Sequence, residues 1–291
     1  MVTTPIPYFG AKTRLADTIV SLLPRHGHYV EPFGGSLAVL LAKPRSAAET
    51  VNDADGALVA FWRMLRDEPA ELARRVALTP LSRLEHAECG GYTRVCVEGC
   101  TALHGAAGHS KSCDLETARR VYVALTQGRA GRRHTGNGWR TRISGGQQPI
   151  SHMMDLYYGR LLDAAERIQG VAIENMHAVD LVERYDDPDV LLYVDPPYTL
   201  NTRAGAAYAF EMLEPEQHEL LAEVLNETAA AVVLSSYRST LYDRLYDGWY
   251  TYELPTVTQQ GNRRKPVCEV LWSNRPFAHH VQEPLFEGAA Q

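Results

Sequence analysis

The chain has 291 residues, 45% of them hydrophobic and 22% charged, the balance of an ordinary globular protein with one or two domains. The start Met1-Val2-Thr3-Thr4-Pro5 has neither the basic nor the apolar region of a signal peptide, and no apolar run is long enough to cross a bilayer, so a cytoplasmic protein is expected and a membrane protein excluded. A net charge of −6 argues mildly against nucleic-acid binding, because affinity for that backbone comes from Lys and Arg neutralising phosphates.

The first motif along the chain is Pro5-Ile6-Pro7-Tyr8-Phe9-Gly10-Ala11-Lys12, in which Tyr8 and Lys12 are candidates to hold a ligand carboxylate. A solvated lysine at a helix start is the plainer alternative. The pattern then predicts a helix over Thr13–Leu23 and a strand over His28–Pro32, which runs into Glu31-Pro32-Phe33-Gly34-Gly35 and a helix over Ser36–Ala42. Strand, glycine turn and helix together let a ligand approach the main chain and meet free N–H groups. Glu31 is placed to face the cationic end of a bound amino acid. The next strand, Glu49–Asn52, ends at Asp53, where a carboxylate suits ribose hydroxyls; Asp55 competes for that role. A helix over Gly56–Asp67 follows.

Between Pro80 and about Gly159 the character changes, over a stretch too long for a connection inside one doubly wound sheet. It reads as an inserted lobe. From Thr117 to Arg160 there are eight arginines (119, 120, 129, 132, 133, 140, 142, 160) and a single acid, Asp155, on an otherwise acidic chain. This basic island suits a DNA-contacting surface, and a solvated arginine-rich face explains it equally well. Cys89, Cys96, Cys100 and Cys113 cluster with His86, His104 and His109. A structural zinc or plain reduced thiols would both fit, since the spacings are not the tight pairs of a zinc knuckle.

A helix over Met154–Ile168 and a strand over Val171–Asn175 lead to Asp180, a candidate acceptor for a cofactor's adenine amine or an N-cap for a helix at Leu181–Tyr185. The strand Val190–Asp195 then enters Asp195-Pro196-Pro197-Tyr198 at the carboxyl end, where open α/β sheets place their sites. Two successive prolines keep the backbone extended and remove N–H donors. The Asp195 carboxylate and Pro196 carbonyl would accept the two hydrogens of an adenine N6 amine and localise its lone pair. Tyr198 would stack on the extruded base. The remaining predicted elements are a helix over Pro215–Thr228 and strands over Ala230–Ser236 and Val267–Ser273. Alternating strands and helices predict a mostly parallel α/β sheet.

In this order the motifs 8–12, 31–35, 52–53, Asp180 and 195–198 resemble the Dam-like, Asp-Pro-Pro-Tyr class of adenine-specific DNA methyltransferases, over about Pro5 to Pro276. The resemblance implies a Rossmann-like S-adenosylmethionine-dependent methyltransferase sheet, formed by residues 1–79 and 160–291, with an inserted target-recognition lobe at 80–159. It implies a cofactor site of Tyr8, Lys12, Glu31, Phe33, Gly34, Gly35, Asp53, Asp180 and Asp195, with Tyr8 and Lys12 on the methionine carboxylate. It implies catalysis by Asp195, Pro196, Pro197 and Tyr198, with no metal in the methyl transfer. Arg129, Arg132, Arg133, Asn137, Trp139, Arg140 and Arg142 would face double-stranded DNA, with a monomer acting in a bacterial or phage-infected cell. Leu37 departs from the family where many relatives carry glycine, and Gln127 stands where asparagine is common. The rivals are an RNA adenine or protein glutamine methyltransferase, and a DNA-binding relative without catalysis. A Rossmann dehydrogenase is disfavoured because no Gly-x-Gly-x-x-Gly turn is present.

Overall fold

The computed structural model describes residues 2–90, 111–129, 131–132, 138–140, 150–198, 208–260 and 263–278. In chain order its elements are α1 (Ala16–Leu22), β1 (His28–Glu31), α2 (Ala38–Ala42), β2 (Ala48–Asn52), α3 (Gly56–Asp67), α4 (Pro69–Ala77), α5 (Arg83–Cys89), α6 (Lys111–Gln127) and α7 (Ile150–Arg167). They continue as β3 (Ala172–Glu174), α8 (Ala178–Arg184), β4 (Val190–Val194), α9 (Pro215–Glu227), β5 (Ala231–Tyr237), α10 (Thr240–Leu245), β6 (Tyr250–Gln260) and β7 (Arg263–Ser273). Among the described residues no helix is long and apolar enough to cross a membrane.

The seven strands form one sheet in the order β3-β2-β1-β4-β5-β7-β6. The strands from β3 to β5 run parallel, and β7 and β6 close that edge antiparallel. Strand side chains alternate between faces, and the core divides accordingly. Tyr29, Leu191, Tyr193 and Val233 join one cluster with α3, α4, α6 and α7, while Val30, Leu192, Val194 and Leu234 join a second with α8, α9 and α10. Helices therefore cover both faces, which explains why β4 and β5 read as near-continuous apolar runs. The strand β6 was not among the predicted elements. It lies at the sheet edge and carries Pro255 in its middle, a residue that only an edge strand tolerates.

The helices α4, α5, α6 and α10 were also unpredicted. Of these, α6 lies within 80–159 yet buries Leu115, Ala118, Val121, Tyr122 and Leu125 in the first cluster, packed on α3. The stretch read as an inserted lobe thus shares the central core. At the opposite end of the sheet from the glycine turn, Arg167 of α7 donates to both oxygens of Glu49 at 2.6 and 2.8 Å, and Lys43 reaches the same carboxylate at 2.7 Å. All three side chains are buried. Arg167→Ala should cost about 3 kcal/mol in urea unfolding, the low end for breaking a buried pair because Lys43 still faces Glu49.

Candidate active site

The sheet order reverses between β1 and β4, and the carboxyl ends of those two strands carry Glu31 and Asp195. Such a switch point is where an open α/β sheet leaves a crevice. A cavity of about 320 Å³ opens there. Its wall includes Tyr8, Lys12, Glu31, Phe33, Gly34, Gly35, Asp53 and Asp195 of the expected site, joined by Met176–Val179 after β3 and by residues 208–212.

The glycine turn is built to keep side chains out. A Cβ on Gly34 would lie 2.9 Å from the Leu37 side chain and 3.0 Å from the Asn52 carbonyl oxygen, and Gly35 has φ +50° with Tyr8 against it. Leu37 also sits in the left-handed region, at φ 52°. Glycine adopts that conformation freely, whereas leucine costs about 1–2 kcal/mol there. Burying the Leu37 side chain to 1% exposure offsets this, by roughly 1.5–3 kcal/mol. The departure from the family's glycine is thus absorbed by the core without changing the turn.

Asp53 and Asp55 take different tasks. Asp55 caps α3 by accepting from the Ala57 and Leu58 amides, while Asp53 accepts from the amides of Gly35 at 2.9 Å and Asp55 at 2.8 Å. Asn52 ties three loops together, donating to the Pro32 and Met176 carbonyls and accepting from the Met176 amide. Its structural part was not anticipated from the Asn-Asp pair. Asp180 is different: it is exposed in the first turn of α8, outside the cavity wall, and His177 caps that helix. The helix starts at Ala178, ahead of the predicted Leu181, so Asp180 is neither the N-cap nor placed towards the cavity.

Glu31 is almost wholly buried. Its Oε1 accepts from the Tyr29 hydroxyl at 2.7 Å and the Leu40 amide at 2.8 Å. Burial lifts its carboxyl to about 7, against the lowering effect of those two hydrogen bonds. A glycine cradle closed to any Cβ, a carboxylate just after β2 and a buried acid at the end of β1 fit S-adenosylmethionine, whose ammonium Glu31 would face. Cofactor affinity should then be full above about pH 7 and weaken as Glu31 protonates below it; titration calorimetry across that range checks this.

The densest charge lies around Asp195. Lys12 was expected on a ligand carboxylate, but its Nζ donates to Asp195 Oδ1 and Oδ2 at 2.7 and 2.8 Å and to the Gly10 carbonyl at 3.1 Å, and lies 3.6 Å from Glu269. Those three bonds use all its hydrogens. Burial lifts the Asp195 carboxyl to about 6; Lys12 opposes the rise and Glu269 adds to it. Burial alone would lower the Lys12 pKa, yet the two carboxylates hold it above the usual lysine range. Tyr198 is 8% exposed and lies behind the cavity wall, with its hydroxyl on Asp195 Oδ1 at 3.2 Å and on Glu269. The structure therefore does not present its ring to the cavity for stacking. Pro197 lines the cavity and Pro196 is buried beside it. Glu269, which the sequence marks only as the start of Glu269-Val270-Leu271-Trp272 on the last predicted strand, is also a site residue.

Within the basic island, Arg119 and Arg120 are engaged by Glu116, and Arg119 also by Glu85, so they are not free for phosphates. Arg129 is exposed. Arg140 donates to the Gly128 carbonyl, Arg132 lies over the Phe9 ring and Trp139 stacks under Arg83. Gln127 is buried, bonded to the Ser82 amide and the Pro80 carbonyl, and serves as an internal strut instead of facing DNA. Arg133, Asn137 and Arg142 lie outside the described residues, as do Cys96, Cys100, His104 and His109. Burial pushes the Cys89 thiol up to about 12, the reverse of a metal-binding thiolate. Among the described residues no group of His, Cys, Asp or Glu could hold a metal, so zinc finds no support there.

No curated protein matches the chain significantly. Among solved structures, the rRNA methyltransferase aviRa from Streptomyces viridochromogenes is similar at 12% identity over 91% of this chain and 85% of that one, with a TM-score of 0.34, too low to carry an argument. The family model for D12 class N6 adenine-specific DNA methyltransferases matches residues 8–102 and 157–261. Those two segments hold the glycine turn, Lys12, Asp53 and Asp195, and on this match the chain belongs to the D12 class of N6 adenine-specific DNA methyltransferases, enzymes that use S-adenosylmethionine.

Proposed function

We propose that Asp195 and Pro196 activate the target adenine in this D12-class enzyme. The observation that carries this is the placement of Asp195 on the cavity wall at the end of β4, with Lys12 Nζ 2.7 Å from its Oδ1. An adenine amine is a poor nucleophile because its lone pair is delocalised into the ring. The Asp195 carboxylate and the Pro196 carbonyl would accept its two hydrogens and localise that pair. S-adenosylmethionine, held by Glu31, Gly34, Gly35 and Asp53, supplies the electrophilic methyl group. The cavity would hold the base after it leaves the duplex, and Tyr198 would anchor Asp195 through its hydroxyl.

Residues 80–159 would supply DNA recognition, and 1–79 with 160–291 the chemistry. In support, the family match is interrupted over 103–156, and Arg129 projects from that stretch into solvent. Arg129→Ala should weaken binding alike for all DNA sequences and lower the salt slope by about one. The function is tested by incubating unmethylated plasmid with the purified enzyme and reading modified bases on long reads. N6-methyladenine at one short motif is expected. Cofactor-bound protein that leaves every adenine unmodified would overturn the reading in favour of an RNA or protein substrate.

A further inference from the structure

Glu269 sits on β7, opposite Tyr237 of β5, and is 3% exposed. Its Oε1 accepts from the Ser235 hydroxyl at 2.7 Å and from the Tyr198 hydroxyl, and faces Lys12 at 3.6 Å. A carboxylate so buried is costly, and an apolar side chain in its place would commonly hold two strands together as well or better. Its contacts run towards the reacting residues. We propose that Glu269 is a positioning residue for methyl transfer, holding the Tyr198 hydroxyl and sharing Lys12 with Asp195 so that the Asp195 carboxylate stays fixed at the cavity edge. This rests on the reading of Asp195 as the acceptor of the adenine hydrogens.

The chemistry gives Glu269 a purpose. Tyr198 has one hydroxyl hydrogen, shared between Glu269 and Asp195 Oδ1, so Glu269 holds the hydroxyl within reach of Asp195 while the other lone pairs of Asp195 stay open to the substrate. With Lys12, Asp195 and Glu269 all ionised, the cluster carries one net negative charge. That charge favours the cationic sulfonium and the positive charge growing on N6 as it attacks. The other groups around Asp195 and Glu269 are Glu31 from β1, Tyr193 from β4, Ser235 and Tyr237 from β5, and Tyr242 from α10. Of the groups acting on Asp195, Glu269 raises its pKa, while Lys12 and the Tyr198 hydroxyl lower it.

The test is turnover on unmethylated plasmid DNA with tritiated S-adenosylmethionine, measured across pH for wild type, Asp195→Ala, Glu269→Gln and Tyr198→Phe. Glu269→Gln should lower kcat roughly ten- to a hundredfold, leave cofactor Kd unchanged, and move the acid limb of the profile to lower pH. Tyr198→Phe should move that limb the other way. A purely structural clip would move neither limb. Wild-type kcat and an unmoved limb in Glu269→Gln, with Asp195→Ala inactive, would overturn the proposal. Should Glu269→Gln fail to fold, the limb of Tyr198→Phe decides in the same manner. Retained turnover in Asp195→Ala would instead overturn the reading beneath it.

Discussion

Asp195→Ala is expected to lose methyl transfer by roughly 10²–10⁴-fold while still binding cofactor and DNA. The loss follows from where the residue stands. Asp195 reaches the cavity with 19% of its side chain exposed, while the Lys12 ammonium occupies its other side. Without the carboxylate, the Pro196 carbonyl alone would accept from the amine, and the lone pair would stay delocalised. The cofactor cradle of Glu31, Gly34, Gly35 and Asp53 is held by its own bonds to Tyr29, Leu40, Asn52 and Asp55, none of which passes through Asp195. Cofactor binding by calorimetry and DNA binding by gel shift should therefore persist. Near-normal turnover, or cofactor binding lost together with turnover, would refute this separation of roles.

What could be read from the chain beforehand was contiguous. Asp195-Pro196-Pro197-Tyr198 and Glu31-Pro32-Phe33-Gly34-Gly35 each carry their meaning within a few residues, and the strand preceding each is apolar enough to place. The unforeseen parts depend on distance. Lys12 meets Asp195 across 183 residues, a pairing set by the sheet order and not by any local pattern, so the lysine was assigned to a ligand instead. Glu269 reads as an ordinary polar position on a strand until β7 is laid against β5. Helix α6 was hidden because its arginines and threonines look like surface, although Thr117 and Thr126 are themselves buried and the arginines sit among residues that it buries. Asp180 illustrates the opposite error: an acid after a strand suggests a ligand contact, but one turn of helix carries it to the exposed side.

Lys12→Met is expected to be the most damaging change to the site as a whole, because it leaves Asp195 and Glu269 facing each other without a cation. Two effects follow, and pH separates them. Asp195 loses the interaction that opposed its desolvation, so its carboxyl rises above its present value of about 6. The acid limb of turnover should move up into the neutral range, with activity partly recovering at higher pH where the carboxylate re-forms. For stability, a carboxyl whose folded pKa exceeds its unfolded value of about 3.9 binds its proton more tightly when folded. Its stabilising contribution is complete below the unfolded pKa and is lost as pH rises through the folded one. The variant should thus be nearest to wild type in acid and fall short by about 3–5 kcal/mol at alkaline pH, the usual cost of stranding a buried charge. Urea unfolding at two pH values would measure the difference. Adding Glu269→Gln should bring the acid limb back down by removing the repulsion. If instead Lys12→Met keeps measurable turnover with its acid limb unmoved, Lys12 does not set the charge of Asp195.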